Sequence, residues 1–234
     1  MTSHLNTRFV LIPGAGGAGW LWSRVVPLLE QAGHTAVALN LPADDESAGL
    51  SEYVDLTVAA CGSADEVVLV GQSLGGFTAV LAADQLVSAG RSPRALVLLN
   101  AMVPAPGETP GSWWGNVGSE EVRLAAAAVG GWSQDLYDLQ TYFLHDVDPA
   151  VAAEGEQHQR NEAEIVFGQP CAIDAWPAVP TRVLAGAEDR FFPLALQQRI
   201  ARDRLGLEAE VVPGGHLAAI SQPEAVAAAI LRTA

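Results

Sequence analysis

Lysine is absent from the chain, and every one of its 12 basic residues is an arginine. That excludes an internal Schiff-base lysine and the phosphate-binding lysine of a P-loop. Positive charge is scarce altogether: 12 Lys and Arg against 27 Asp and Glu leave a formal net charge of -15. Such a chain is unsuited to nucleic acid, whose phosphates need cationic neutralisation, and to an anionic membrane surface. We read the acidity as favouring solubility rather than as the mark of a cationic partner. Cysteine is nearly missing too. Cys61 and Cys171 lie far apart and form no CxxC or metal spacing, so each reads as a buried thiol and no metal is expected. No apolar run is long enough to span a bilayer. Met1 to Arg8 lacks a charged segment leading into a clean apolar one. The expectation is a soluble, cytoplasmic protein, monomeric or homodimeric, with no cofactor.

What is present is apolar and ordered. Half of the 234 residues are hydrophobic, enough for one domain with a sizeable core and too many for a disordered chain. Strand patterns occur at Arg8 to Ile12, Thr35 to Leu39, Val67 to Val70, Arg94 to Ala101, Pro180 to Ala185 and Glu208 to Val212. Helical patterns lie between and after them: Trp20 to Gln31, Leu50 to Ala60, a run from Phe77, Leu194 to Arg204, and Pro223 to Leu231. This alternation predicts an α/β fold, with a mostly parallel central sheet and helices on both faces. It stops between residues 102 and 176, a stretch rich in Gly, Pro and aromatics with short helical patterns such as Glu120 to Val129. We expect one domain over residues 1–234, with 102–176 inserted as a cap over the strand ends.

The centre of the chain is Val67-Val68-Leu69-Val70-Gly71-Gln72-Ser73-Leu74-Gly75-Gly76. Four successive apolar residues fit a strand covered on both faces. Gly71-x-Ser73-x-Gly75 fits a sharp turn into a helix, with the serine strained and its hydroxyl exposed. Side chains two residues either side of the serine would strike the neighbouring elements, hence the glycines. The Leu74 amide falls at the helix N-terminus, where unpaired N–H groups and the helix dipole favour negative charge.

A second glycine loop competes for attention. Gly14-x-Gly16-x-x-Gly19 follows the first strand and matches a dinucleotide fingerprint. The next strand ends in Asn40, where an acidic residue should hold a ribose. The reading preferred here is a loop that turns a backbone amide, that of Ala15, toward Ser73.

Ser73, Asp189 and His216 each follow the C-terminal end of a predicted strand, and in a parallel sheet those ends share one edge. Serine needs a base to act as a nucleophile, histidine titrates in the right range, and a carboxylate fixes its tautomer. The order serine, acid, histidine is that of hydrolases built on such a sheet. Glu188 is the rival acid, with its side chain expected to point elsewhere. Asn100 ends the strand after the serine helix, the other position for an acid, and cannot serve as one. Trp20, Trp113, Phe143 and His145 are candidate substrate contacts, with Asp146 beside them. His4, His34 and His158 read as structural or solvated.

These features resemble the α/β-hydrolase superfamily over essentially the whole chain. The likeness is nearest to small plant methylesterases and hydroxynitrile lyases and their bacterial relatives. Their His-Gly-Ala-x-x-Gly-Ala-Trp loop is similar to Pro13-Gly14-Ala15-Gly16-Gly17-Ala18-Gly19-Trp20, with proline in place of histidine. Their Gly-His-Ser-Leu-Gly-Gly becomes Gly71-Gln72-Ser73-Leu74-Gly75-Gly76. The resemblance implies a Ser73–Asp189–His216 triad, oxyanion amides at Ala15 and Leu74, and hydrolysis of a small, largely apolar ester. It also implies that cyanohydrin cleavage, which in that family uses a cap lysine, is disfavoured in a chain without lysine. Other activities of the fold (thioesterase, lactonase, C–C hydrolase, acyltransferase) and a ligand-binding role without turnover stand as alternatives.

Overall fold

A computed structural model describes residues 6–234, so the readings made for Met1 to Leu5, His4 included, lie outside the described residues. Six strands form the sheet: β1 Arg8–Ile12, β2 Thr35–Ala38, β3 Val67–Gln72, β4 Ala95–Leu99, β5 Thr181–Gly186 and β6 Glu210–Val212. Every pairing is parallel, in the order β2-β1-β3-β4-β5-β6. The chain moves outward from β1 to β2, then returns to the other side of β1 as β3. The C-terminal ends of β1 and β3 therefore flank the point where strand order reverses, the usual crevice of such sheets.

Among the described residues ten α-helices accompany the strands: α1 Val26–Gln31, α2 Leu50–Cys61, α3 Gly75–Ser88, α4 Pro110–Asn116, α5 Ser119–Gly130, α6 Pro149–Gly155, α7 Glu164–Gly168, α8 Leu194–Ile200, α9 Ala218–Ser221 and α10 Pro223–Leu231. Alternate side chains of each central strand enter opposite cores. Val10, Ile12, Leu69, Leu96 and Leu98 pack with Tyr53 of α2, Phe77 of α3 and Leu196 of α8. Phe9, Leu11, Val68, Val70, Val97 and Leu99 pack with Leu29 of α1 and Ile230 of α10. Burial on both faces explains why these strands read as unbroken apolar runs. Among the described residues, no helix is long and apolar enough to cross a membrane.

Two predicted helices are shorter than their periodicity. Trp20 to Gln31 divides into a 3-10 turn, Gly19–Trp22, and α1. Pro27 has no N–H to continue a helix from the preceding turn and sits in the first turn of α1. Leu194 to Arg204 becomes α8 followed by a single π turn, Ala201–Leu205, closed by Gly206 in a left-handed conformation. Both cysteines are free and buried, and burial pushes the Cys171 thiol up to about 12, so neither is poised to react.

Between β4 and β5 the chain carries α4 to α7 and a π turn, Gln140–Leu144. One buried ion pair ties the start of this segment to the sheet domain. Arg204 donates to both oxygens of Glu108, at 2.5 and 2.8 Å, and to the Val103 carbonyl. Glu108 also accepts from Asn116 Nδ2 and from the Ala105 amide. Burial raises the Glu108 carboxyl, but these donors outweigh it and hold the group below its ordinary range. A depressed carboxylate stabilises the fold fully above its unfolded pKa, and that contribution disappears as pH falls through the lower, folded value. Arg204→Ala, which strands a buried carboxylate, is expected to lower the unfolding free energy at neutral pH by about 3–5 kcal/mol. Urea denaturation checks this, and the deficit relative to the parent protein is expected to shrink below pH 4.

Candidate active site

Ser73 sits directly after β3 with φ 51, one of two non-glycine residues with positive φ among the described residues. The strain is sustained by close packing on both sides. A Cβ on Gly71 would lie 2.6 Å from the Gly75 carbonyl oxygen and 2.9 Å from the Ala79 methyl. A Cβ on Gly75 would collide with the Pro13 carbonyl oxygen. Strand, turn and helix thus touch through backbone, and the predicted need for glycine has a named obstacle at each position.

The other two predicted residues meet the serine here. His216 Nε2 lies 3.1 Å from Ser73 Oγ, and His216 Nδ1 lies 2.9 Å from Asp189 Oδ2. The Asp189 carboxylate is fully buried and accepts from the Phe191 and Phe192 amides at 2.9 and 2.8 Å. With Nδ1–H donating to Asp189, Nε2 is left to accept the serine proton. The imidazole is packed edge-on by Phe143, Phe191 and Phe192, with ring centroids 5.3, 4.9 and 5.0 Å away.

The loop carrying His216 is held from several directions. Glu188 points away from the imidazole and accepts from the Gly214 amide, while Asp146 accepts from the Gly215 amide at 2.6 Å. Asn100, fully buried with φ 45, donates to the Gly215 and His216 carbonyls and accepts from Gly186. Gln72 donates to the His216 carbonyl at 3.2 Å. Asn100 is therefore a clamp between the ends of β4 and β5 and the histidine loop, a role invisible in its sequence position alone.

Ala15 and Leu74 line a cavity of about 420 Å³ beside Ser73, and among the described residues their amides donate to no protein acceptor. Gly14 approaches the serine closely, since a Cβ there would lie 2.8 Å from that of Ser73. The Gly16 amide is already taken, donating to Glu162 Oε2 at 2.7 Å. A carboxylate occupies the place where a dinucleotide pyrophosphate would need a free donor, which argues against the fingerprint reading of this loop.

The cavity wall is mostly apolar. Trp20 and Phe143 line it as expected. Trp20 also stacks on His158, at 5.5 Å, and donates to Glu154; His158 is exposed, as read from the sequence, and lies at the cavity wall as well. Two candidates lie elsewhere. Trp113 is fully buried, donates to the Val103 carbonyl and packs against Phe192; its neighbour Trp114, turned about 100° around α4, takes the place in the wall. His145 lies behind the histidine loop beside Gly215, with Nε2 buried and 4.0 Å from Asp146 Oδ1. Burial, and then the charge of Arg190, push its pKa down. Trp114 and Phe167, aromatics of the 102–176 segment whose aromatics were expected to line a pocket, do line the wall; Phe191, two residues after Asp189, is a wall residue that was not singled out from the sequence.

A parallel sheet with a strained serine at its switch point defines the class, and the comparison agrees. The chain matches the alpha/beta hydrolase family over residues 9–229 and belongs to it. It is 39% identical over 115 residues to the probable esterase PIR7A of Oryza sativa subsp. indica, covering 44% of this chain and 42% of the rice protein. It is 36% identical over 113 residues to an alpha-hydroxynitrile lyase of Arabidopsis thaliana, covering 44% and 43%. These aligned segments span less than half the length of the curated relatives. A solved structure of polyneuridine aldehyde esterase superposes with a TM-score of 0.78 at 19% identity, over 97% of this chain and 98% of that one, a likeness of fold.

The tight backbone contact at the serine turn makes Gly75→Ala a sharp probe of the site. The added methyl must push the β1 loop away from α3, at an expected cost of about 1–3 kcal/mol in unfolding free energy measured in urea.

Proposed function

We propose that the protein is a serine hydrolase acting on small, largely apolar carboxylic esters. The observation that carries this reading is the continuous path from Asp189 through His216 to Ser73 Oγ, ending beside two unpartnered amides. Ser73 Oγ attacks the ester carbonyl while His216 Nε2 takes its proton, and Asp189 orients the imidazole and stabilises its charged form. The tetrahedral oxyanion accepts from the Ala15 and Leu74 amides. The ester C–O bond breaks, His216 returns the proton to the leaving alcohol, and the acyl group stays on Ser73. Water, deprotonated by His216, then releases the acid and restores the serine.

Support for an ester comes from the family, from a relative described as a probable esterase, and from an apolar cavity sized for a small molecule. A protein described as an alpha-hydroxynitrile lyase is also among the relatives. Among the residues of the 102–176 segment that line the cavity, Trp114, Phe143 and Phe167 are proposed to select the acyl or alcohol group, with the segment as the lid.

A fluorophosphonate probe followed by intact-mass analysis and peptide mapping tests this reading. One adduct on Ser73, lost in His216→Ala, is expected, whereas a folded protein with an unlabelled Ser73 would count against it. Ser73→Ala is expected to abolish turnover of short p-nitrophenyl esters while the protein stays folded. Asp189→Asn is expected to lower kcat by roughly 10³–10⁴-fold, since it disturbs the imidazole's tautomer and orientation.

A further inference from the structure

Glu162 is a half-buried carboxylate with no arginine bonded to it among the described residues, set against the glycine loop after β1. Its Oε2 accepts from the Gly16 amide, and its Oε1 accepts from the Tyr53 hydroxyl of α2, both at 2.7 Å. Arg160, two residues earlier, donates to the Gly17 carbonyl at 2.7 Å. Its own carbonyl lies so close to Gly16 that a Cβ there would come within 2.7 Å. The Ala163 amide donates to the Ala43 carbonyl, closing the seam. On its other side the Leu41 amide donates to the Gly17 carbonyl at 2.9 Å and the Gly19 amide donates to Asn40 Oδ1 at 3.0 Å, so that of these contacts the one on Glu162 is the one that fixes the amide next to Ala15. Gly16 and Gly17 are both left-handed, at φ 83 and 61, and one turn bond links Gly17 to Gly14. Glycine is the residue most free to leave such a conformation.

We propose that Glu162 is the positioning residue of this loop: by fixing the Gly16 amide, with Tyr53 bracing its other oxygen, it sets the plane of the adjoining peptides and so the direction of the Ala15 N–H. The proposal rests on the serine-hydrolase reading for its chemical consequence, though not for the contact itself. Hydrogen bonds to an ionised acceptor are about twice as strong as neutral ones, which suits one carboxylate to holding a two-glycine turn. The bond also consumes the Gly16 donor, while the Ala15 amide on this side of Ser73 stays free. Glu162 neither touches Ser73 nor lines the cavity; it acts through the loop.

Three variants decide the matter. Glu162→Ala removes both acceptors. Glu162→Gln keeps an acceptor for Gly16 and offers Tyr53 a donor instead. Tyr53→Phe removes the brace alone. Hydrogen–deuterium exchange of the peptide spanning residues 13–21 reads the loop directly, with exchange elsewhere as the control for folding. Faster exchange confined to that peptide is expected in Glu162→Ala, with protection restored in Glu162→Gln. In p-nitrophenyl ester hydrolysis Glu162→Ala is expected to lose ten- to hundredfold in kcat with KM within about twofold. That is less than the 10²–10³-fold typical of deleting an oxyanion donor outright. Glu162→Gln is expected to recover most of this, and Tyr53→Phe to fall between. Unchanged exchange at residues 13–21 in Glu162→Ala overturns the proposal. So does looser exchange with kcat intact, or a loss that appears in KM alone. A parent protein that hydrolyses no ester and takes no fluorophosphonate defeats the hydrolase reading instead, and the exchange experiment still rules on the contact.

Discussion

The constraint on which the site depends is the approach of three backbones around one serine. β3, the β1 loop and α3 meet without intervening side chains, because Gly71, Gly75 and Gly14 present none. That contact holds Ser73 in a conformation that an L-residue avoids, and it sets the serine against the β1 loop without a mobile side chain between them. Everything else at the site takes its position from this junction. The imidazole arrives from one side on the turn after β6, the free amides from the other, and the cavity opens above.

The fold was legible because its signals are local. The apolar run Val67–Val70, buried on both faces, and the glycine-flanked serine after it are properties of ten adjacent residues. Asp189 and His216 were legible because strand ends in a parallel sheet share an edge, so topology substitutes for geometry. Periodicity misjudged length where one residue intervened: Pro27 splits the first predicted helix. Within the cap it marked α5, Ser119–Gly130, through the pattern at Glu120 to Val129, but not which side chains face the cavity. Trp113 and Trp114 are neighbours in sequence, and a quarter-turn of a seven-residue helix puts one in the core and the other at the cavity. His145 carried the wrong expectation for the same reason. Asn100, Gln72 and Glu162 are lone polar residues with no pattern around them, and their roles exist only in the contacts they make across the chain.

Buried and half-buried polar groups in this protein fix irregular backbone at several places. Glu108 with Arg204 anchors the start of the inserted segment, Asn100 and Asp146 grip the histidine turn, and Glu162 grips the glycine loop. Each satisfies main-chain groups that no strand or helix would satisfy, which is how loops with catalytic geometry avoid the penalty of unpaired amides. An acidic composition thus has a structural use in addition to its effect on solubility, because carboxylates are the acceptors that loose amides need.

The grip on the histidine turn has a meaning in the time domain. β6 has three residues and lies at the edge of the sheet, paired only with β5 through Leu184–Gly186. Edge segments with few pairings open by local fluctuation far more often than the central strands unfold. His216 and Ser73 are also 143 residues apart in the chain, so their contact depends on the sheet that lies between them. The contacts from Asn100, Gln72, Glu188 and Asp146 therefore brace a turn whose own strand contributes little pairing, whereas the serine junction is braced by the centre of the sheet itself.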